Sequence, residues 1–264
     1  MDSLQHQAAA MSLTPRYSHE ATVKAITSFY EMLMRAHSDK SGELLYPPPT
    51  GWPQITQHSF APLGRTDEVV ELMRHLPYFS ERIQVLDETE AIKYTDDEFC
   101  EQIDDENRQR REQGMTDGEP CPPEEFCLAD RGEECEYGYT LFIDTKFGYA
   151  VLEREFGEIP NYVEPEDEED LDDQYQPAWM EGKEYVALPI ESFFEMCKRQ
   201  LRIMNWTPHL EKGSWGELEE RPSTQSTIDP MMRVMIEAGW PGDGDGRGWN
   251  KKKAERDMQE LWIA

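Results

Sequence analysis

No apolar run in this 264-residue sequence approaches the 18 residues that a membrane helix requires, so no segment is expected to span a bilayer. Positive charge is also scarce. Lys and Arg number 26 against 55 Asp and Glu, for a formal net charge of −29. A field of that sign opposes nonspecific binding to DNA, RNA or anionic lipid. The five cysteines, an odd and sparse number, argue for a reducing compartment rather than a disulfide framework. The opening residues Met1-Asp2-Ser3-Leu4-Gln5-His6-Gln7 have neither a basic nor an apolar leader region. A cytoplasmic or nuclear location is therefore expected.

Aliphatic residues are few, and that alone would suit a disordered chain: Leu, Ile, Val and Phe make up about 18% of the residues. Seven Trp, 11 Tyr and 13 Met point the other way, because they can fill a core. One globular domain interrupted by acidic disordered insertions reconciles the two.

The charge is concentrated. Residues 96–136 hold 16 acids and 4 bases, and residues 153–173 hold 11 acids and 1 base. Between Glu164 and Asp173, 8 of 10 residues are acidic. Self-repulsion without apolar anchors makes that stretch a solvated loop.

Chemical motifs are missing in the same way. The six histidines are scattered, and no His-Glu-x-x-His, Gly-x-Ser-x-Gly or phosphate-binding Gly-Lys-Ser/Thr sequence occurs. Cys121, Cys127 and Cys135 lack the close pairing of a zinc site. The loop Asp243-Gly244-Asp245-Gly246-Arg247-Gly248 begins like a calcium loop. It then fails, with Arg247 at the fifth position, Ala254 at the twelfth, and Lys251, Lys252 and Lys253 nearby. No cofactor and no metal is expected. Paired acids for a hydrolase remain an alternative, but 55 carboxylates supply too many pairs for any one to stand out.

Along the chain, a tail over 1–17 precedes a helix running from Ser18 to about His37, with Val23, Ile26, Tyr30 and Leu33 on one face. The stretch Leu44 to Pro53 is extended because each X-Pro disfavours helix. Thr66 caps a second helix with Val69, Leu72, Met73 and Leu76 inward, stopped by Pro77. Strands are expected over 82–86, 91–94, 139–144, 149–152 and 183–188, the middle pair forming a hairpin around Thr145-Lys146-Phe147-Gly148. A third helix over 190–204 turns Ile190, Phe193, Phe194, Cys197, Leu201 and Met204 to one side, which makes Cys197 a core thiol. After a linker at 211–228, helices begin at Pro230 and after Asn250, the first stopping at Gly239 and the second turning Ala254, Met258, Leu261 and Trp262 inward.

Three stretches carry a resemblance. They run from Tyr46 through Pro47-Pro48-Pro49-Thr50-Gly51-Trp52-Pro53 to Thr56, from Leu63 through Gly64-Arg65-Thr66-Asp67-Glu68 to Tyr78, and over Pro189-Ile190-Glu191-Ser192-Phe193-Phe194. Together they resemble a group of uncharacterised filamentous-fungal proteins. More distantly, Leu76-Pro77, the hairpin from Asp144 to Gly148, and Phe193-Phe194 resemble the SUKH superfamily of fungal cell-wall-synthesis regulators and bacterial immunity proteins. That resemblance implies an α+β binding module without catalytic residues, and it carries no functional residue over.

The expectation is an α+β main domain over 18–210. A small antiparallel sheet from 82–94, 139–153 and 183–188 would be covered by the helices at 66–76 and 190–204, with acidic insertions at about 96–136 and 157–178 and a C-terminal helical pair at 229–264. The expected function is noncatalytic binding of a protein with a basic surface. The expected contacts are Glu166, Asp167, Glu168, Glu169, Asp170, Asp172 and Asp173, with Trp52 and Trp179 as exposed aromatics. A hydrolase and an acidic chaperone for highly basic proteins are the alternatives.

Overall fold

A computed structural model describes residues 17–37, 42–96, 122–131, 138–154, 159, 175–177, 180–208, 218–220 and 230–263. The first helix, α1 (His19–Ala36), starts where expected: the Ser18 hydroxyl accepts a hydrogen bond from the Ala21 N–H. Its buried stripe is Ile26, Phe29, Tyr30, Met32 and Leu33. The proline-rich segment then lies between β1 (Leu44–Leu45) and α2 (Asp67–His75). In α2, the Thr66 hydroxyl accepts from the Val69 N–H, and Asp67 and Glu68 sit in the first turn, where the helix dipole favours acids. A short strand, β2 (Tyr78–Phe79), pairs antiparallel with β1.

The sheet follows. Its strands are β3 (Gln84–Leu86), β4 (Thr89–Ala91), β5 (Glu125–Arg131), β6 (Tyr139–Asp144), β7 (Tyr149–Arg154) and β8 (Glu184–Pro189), antiparallel throughout and laid out in chain order. Helix α3 (Ile190–Arg202) grows directly from the end of β8. A small hairpin, β9 (Trp206–Pro208) with β10 (Leu218–Glu220), follows, and then α4 (Pro230–Glu237) and α5 (Lys251–Ile263). The protein is an α+β fold with a six-stranded antiparallel sheet.

Alternation along the strands sends side chains to two faces. Phe126, Leu128, Leu141, Ile143, Ala150, Leu152 and Leu188 join α1, α2 and α3 in the main core, where Phe29 and Phe194 meet ring to ring at 5.7 Å. Cys197 is fully buried there, and burial pushes its thiol well above the ordinary range. The opposite face holds a second cluster: Tyr149 and Val151 under Tyr175 and Met180, flanked by half-buried Phe142, Phe147, Tyr185 and Ala187.

Three sequence expectations change. The acidic segment 96–136 is not one insertion, because β5 lies inside it and supplies a central strand paired with β4 and β6. Its alternation is hidden by the buried Glu125 and by a register shift between Cys127 and Ala129. The strand expected at 91–94 forms instead at Thr89–Ala91, joined to β3 by the two-residue turn Asp87-Glu88. In α5, Ala254 and Met258 are fully buried as expected, whereas Leu261 is exposed beyond the end of the contact surface. The Trp262 side chain lies outside the described residues, as do the tail 1–16, the linker positions 211–217 and 221–228, and the rest of both acidic segments.

The C-terminal pair is part of the main body. Val234, Met235, Ala238 and Trp240 share its core. The Trp240 Nε1–H donates to the Leu201 carbonyl at 2.9 Å, and the Trp249 Nε1–H donates to the Arg35 carbonyl at 3.2 Å. The connecting loop that imitates a calcium site is closed by its own cation. The Asp243 Oδ1 accepts from the Asp245 and Arg247 N–H groups, while the Arg247 guanidinium pairs with both carboxylates.

Candidate functional site

The acidic run from Glu166 to Asp173 and Trp179 lie outside the described residues. Trp52 is described, and it is half-buried rather than exposed. Its ring is half-buried against Tyr78, and its Nε1–H donates to the Leu76 carbonyl at 2.8 Å. It locks the proline-rich segment to the end of α2, which a sequence cannot show because the partner is 24 residues away.

The polar groups of the second sheet face gather at the β6–β7 turn. Asp144 ends β6, and its Oδ1 accepts from the Lys146 and Phe147 N–H groups at 2.7 and 2.9 Å, the geometry by which aspartate organises a turn. Gly148 closes the turn at φ 81°, the left-handed region glycine tolerates. Thr145 ties the turn to the start of β5, with both its N–H and its hydroxyl donating to the Glu124 carbonyl.

The other Asp144 oxygen holds a strap. The Tyr175 hydroxyl donates to Oδ2 at 2.6 Å, and the Tyr175 ring stacks on Tyr149 with centroids 4.2 Å apart and planes 11° from parallel. Phe147 meets the same ring edge-on. Met180, fully buried, closes the far end of the strap, its N–H donating to the Pro177 carbonyl. Burial raises the Asp144 carboxyl above its usual range, although the hydrogen bonds from Tyr175, Phe147 and Lys146 oppose the shift. Burial first, and then the negative charge of Asp144, hold the Tyr175 hydroxyl protonated and donating.

Directly across the strand pair from Asp144 stands Glu125, also buried. This pair of acids is what the sequence could not single out among 55. Chemically, Asp144 is committed: both oxygens accept from fixed donors, as suits a turn cap and strap anchor. The sequence signal for it was its position between a β-rich run and a Gly-containing turn. Tyr175 had no such signal, because it follows immediately on an acidic stretch.

Among the described residues, no group of three or more His, Cys, Asp or Glu side chains could hold a metal ion. Nor is any described helix long and apolar enough to cross a membrane. No protein-family model, curated protein or solved structure matches the chain.

Proposed function

We propose that the protein is a noncatalytic binding module of the cytoplasm or nucleus that captures a protein with a basic surface through the acidic run Glu166, Asp167, Glu168, Glu169, Asp170, Asp172 and Asp173. The observation that carries this reading is the anchored strap. The run ends two residues before Tyr175, a side chain held by stacking, burial and a short charge-assisted hydrogen bond. An acidic segment tethered to a rigid sheet face loses less freedom on binding than one at the end of a long linker. Its charge steers a cationic partner into encounter.

We also propose a kinship with the SUKH superfamily, which rests on the resemblance of the sequence alone. Leu76, Phe193 and Phe194 are core residues, and Asp144 to Gly148 forms the turn that anchors the strap. A binding module without catalytic residues is what that kinship implies.

The test is affinity purification from the native cell at two salt concentrations, using wild type and a variant with Glu166, Asp167, Glu168, Glu169 and Asp170 replaced by Ser or Asn. The expected result is one basic partner retained by the wild type and depleted from the variant, with the variant's thermal stability nearly unchanged. An identical partner set from both proteins overturns the reading. A broad spread of basic proteins, all lost at the higher salt, replaces it with an acidic chaperone. A hydrolase reading draws its one support from the buried Glu125 and Asp144 pair, and it requires a substrate that reaches them past Tyr175.

A further inference from the structure

Between β1 and the Trp52 lock, the run Tyr46-Pro47-Pro48-Pro49-Thr50 lies on the surface, every residue exposed except the half-buried Pro47. Tyr46, at 55%, is the most exposed large apolar side chain among the described residues. Tyr46, Pro47 and Pro48 each precede a proline, which disfavours the helical region, and the pyrrolidine rings fix φ. Those two restrictions favour polyproline II, and the structure forms neither helix nor strand over 46–50.

Both ends of the run are fixed. On one side Leu45 pairs with Tyr78, and the Tyr46 hydroxyl donates to Glu31 Oε1 on α1 at 3.0 Å. On the other, a turn brings the Gly51 N–H to the Pro48 carbonyl at 2.8 Å, and the Trp52 N–H donates to the Arg74 carbonyl at 2.9 Å. Gly51 is buried at φ 75°, and a Cβ there would lie 2.6 Å from Arg74 Cγ, so the turn is pressed against α2. These contacts fall on backbone and on flanking residues, and the Pro48 and Pro49 rings stay exposed.

We propose that Tyr46, Pro48 and Pro49 form a docking ridge for a proline-reading domain with an aromatic-lined groove, a contact separate from the acidic run. Three successive residues without an N–H cannot template an added β-strand, which excludes extension of a sheet here. What they offer is rigid ring surface and carbonyl acceptors, the features that aromatic-lined grooves read in polyproline II segments. Because its ends are anchored, the ridge is already ordered and loses little conformational entropy on docking. Tyr46 adds an exposed aromatic anchor, a residue type enriched at binding hot spots. An SH3-type groove is disfavoured, since no Pro-x-x-Pro spacing occurs between Leu44 and Pro53. The groove is therefore of WW or EVH1 type.

The test is an array of purified WW, EVH1 and SH3 domains probed with the fluorescently labelled full chain, followed by titration of each domain that retains it. At least one WW or EVH1 domain is expected to bind, and the SH3 domains are not. Tyr46→Ala, and separately the double variant Pro48→Ala, Pro49→Ala, should each weaken that binding about tenfold. Both change exposed side chains, so the melting temperature should stay close to that of the wild type. Tyr46→Ala keeps all three prolines, and it still tests the ridge if the double variant disturbs the turn at Gly51. Replacing Glu166 to Asp170 should leave this binding unchanged. No retention by any WW or EVH1 domain, retention by SH3 domains alone, binding indifferent to both variants, or binding lost with the acidic run overturns the proposal.

Discussion

Asp144 and Tyr175 show how one hydrogen bond acquires a pH dependence. The folded protein holds the Asp144 carboxyl above its ordinary 3.8, so the unfolded chain releases that proton first as pH rises. A carboxyl raised in this way contributes its stability below the unfolded value and loses it as pH climbs through the folded one. Tyr175 limits the loss, because its hydroxyl donates to the ionised form. Tyr175→Phe is therefore expected to cost about 1–3 kcal/mol near neutral pH, where a buried carboxylate loses a donor, and clearly less near pH 4. Chemical denaturation of both proteins across that range measures the difference. No measurable cost at either pH would mean that stacking on Tyr149, which Phe retains, holds the strap rather than the hydrogen bond.

Elements were legible wherever the hydrophobic period was long and uninterrupted. The helices α1, α2 and α3 could be read because each repeats apolar residues over several turns and, for α1 and α2, because Ser18 and Thr66 announce the start. The β6–β7 hairpin could be read because two β-rich runs bracket a Gly-containing turn. β5 could not, since its apolar residues are set among acids and its register shifts midway. The strands β1, β2, β9 and β10 are two or three residues long, too short for any period to show. The docking of α4 and α5 was equally hidden, because it rests on contacts such as Trp240 with Leu201, 39 residues apart. Trp240 is 5% exposed and meets Trp249 edge-on at 5.1 Å. Trp240→Ala should cost about 3–5 kcal/mol, chiefly through the cavity left behind, since the Leu201 carbonyl keeps the Met204 N–H as a donor. Urea unfolding followed by tryptophan fluorescence and by circular dichroism should show one coincident transition, shifted to lower denaturant in the variant. A separate early transition in the wild type would mean that the C-terminal pair folds apart from the sheet.

At the scale of the whole molecule, salt acts on folding and on partner capture in opposite directions. The net charge of −29 makes the compact state repel itself, and screening relieves that repulsion. Surface ion pairs such as Arg247 with Asp243 or Lys93 with Asp96 are weakened by the same ions, but exposed pairs contribute roughly 0–1 kcal/mol each. The excess of 55 acids over 26 bases leaves most acids without such a pair, so repulsion dominates the balance. Raising ionic strength from about 0.01 to 0.1 M shortens the Debye length from about 30 to 10 Å, and the melting temperature should rise. Replacing Glu166 to Asp170 removes five negative charges from one short stretch, and it should reduce that rise without lowering the melting temperature at low salt. Partner capture through the same run should fall over the same range, because there the screened interaction is attractive. Opposite slopes for melting and binding in the wild type, both flattened by the substitution, would tie the two effects to one group of carboxylates. Slopes of the same sign would mean instead that salt removes the partner by unfolding the surface that holds it.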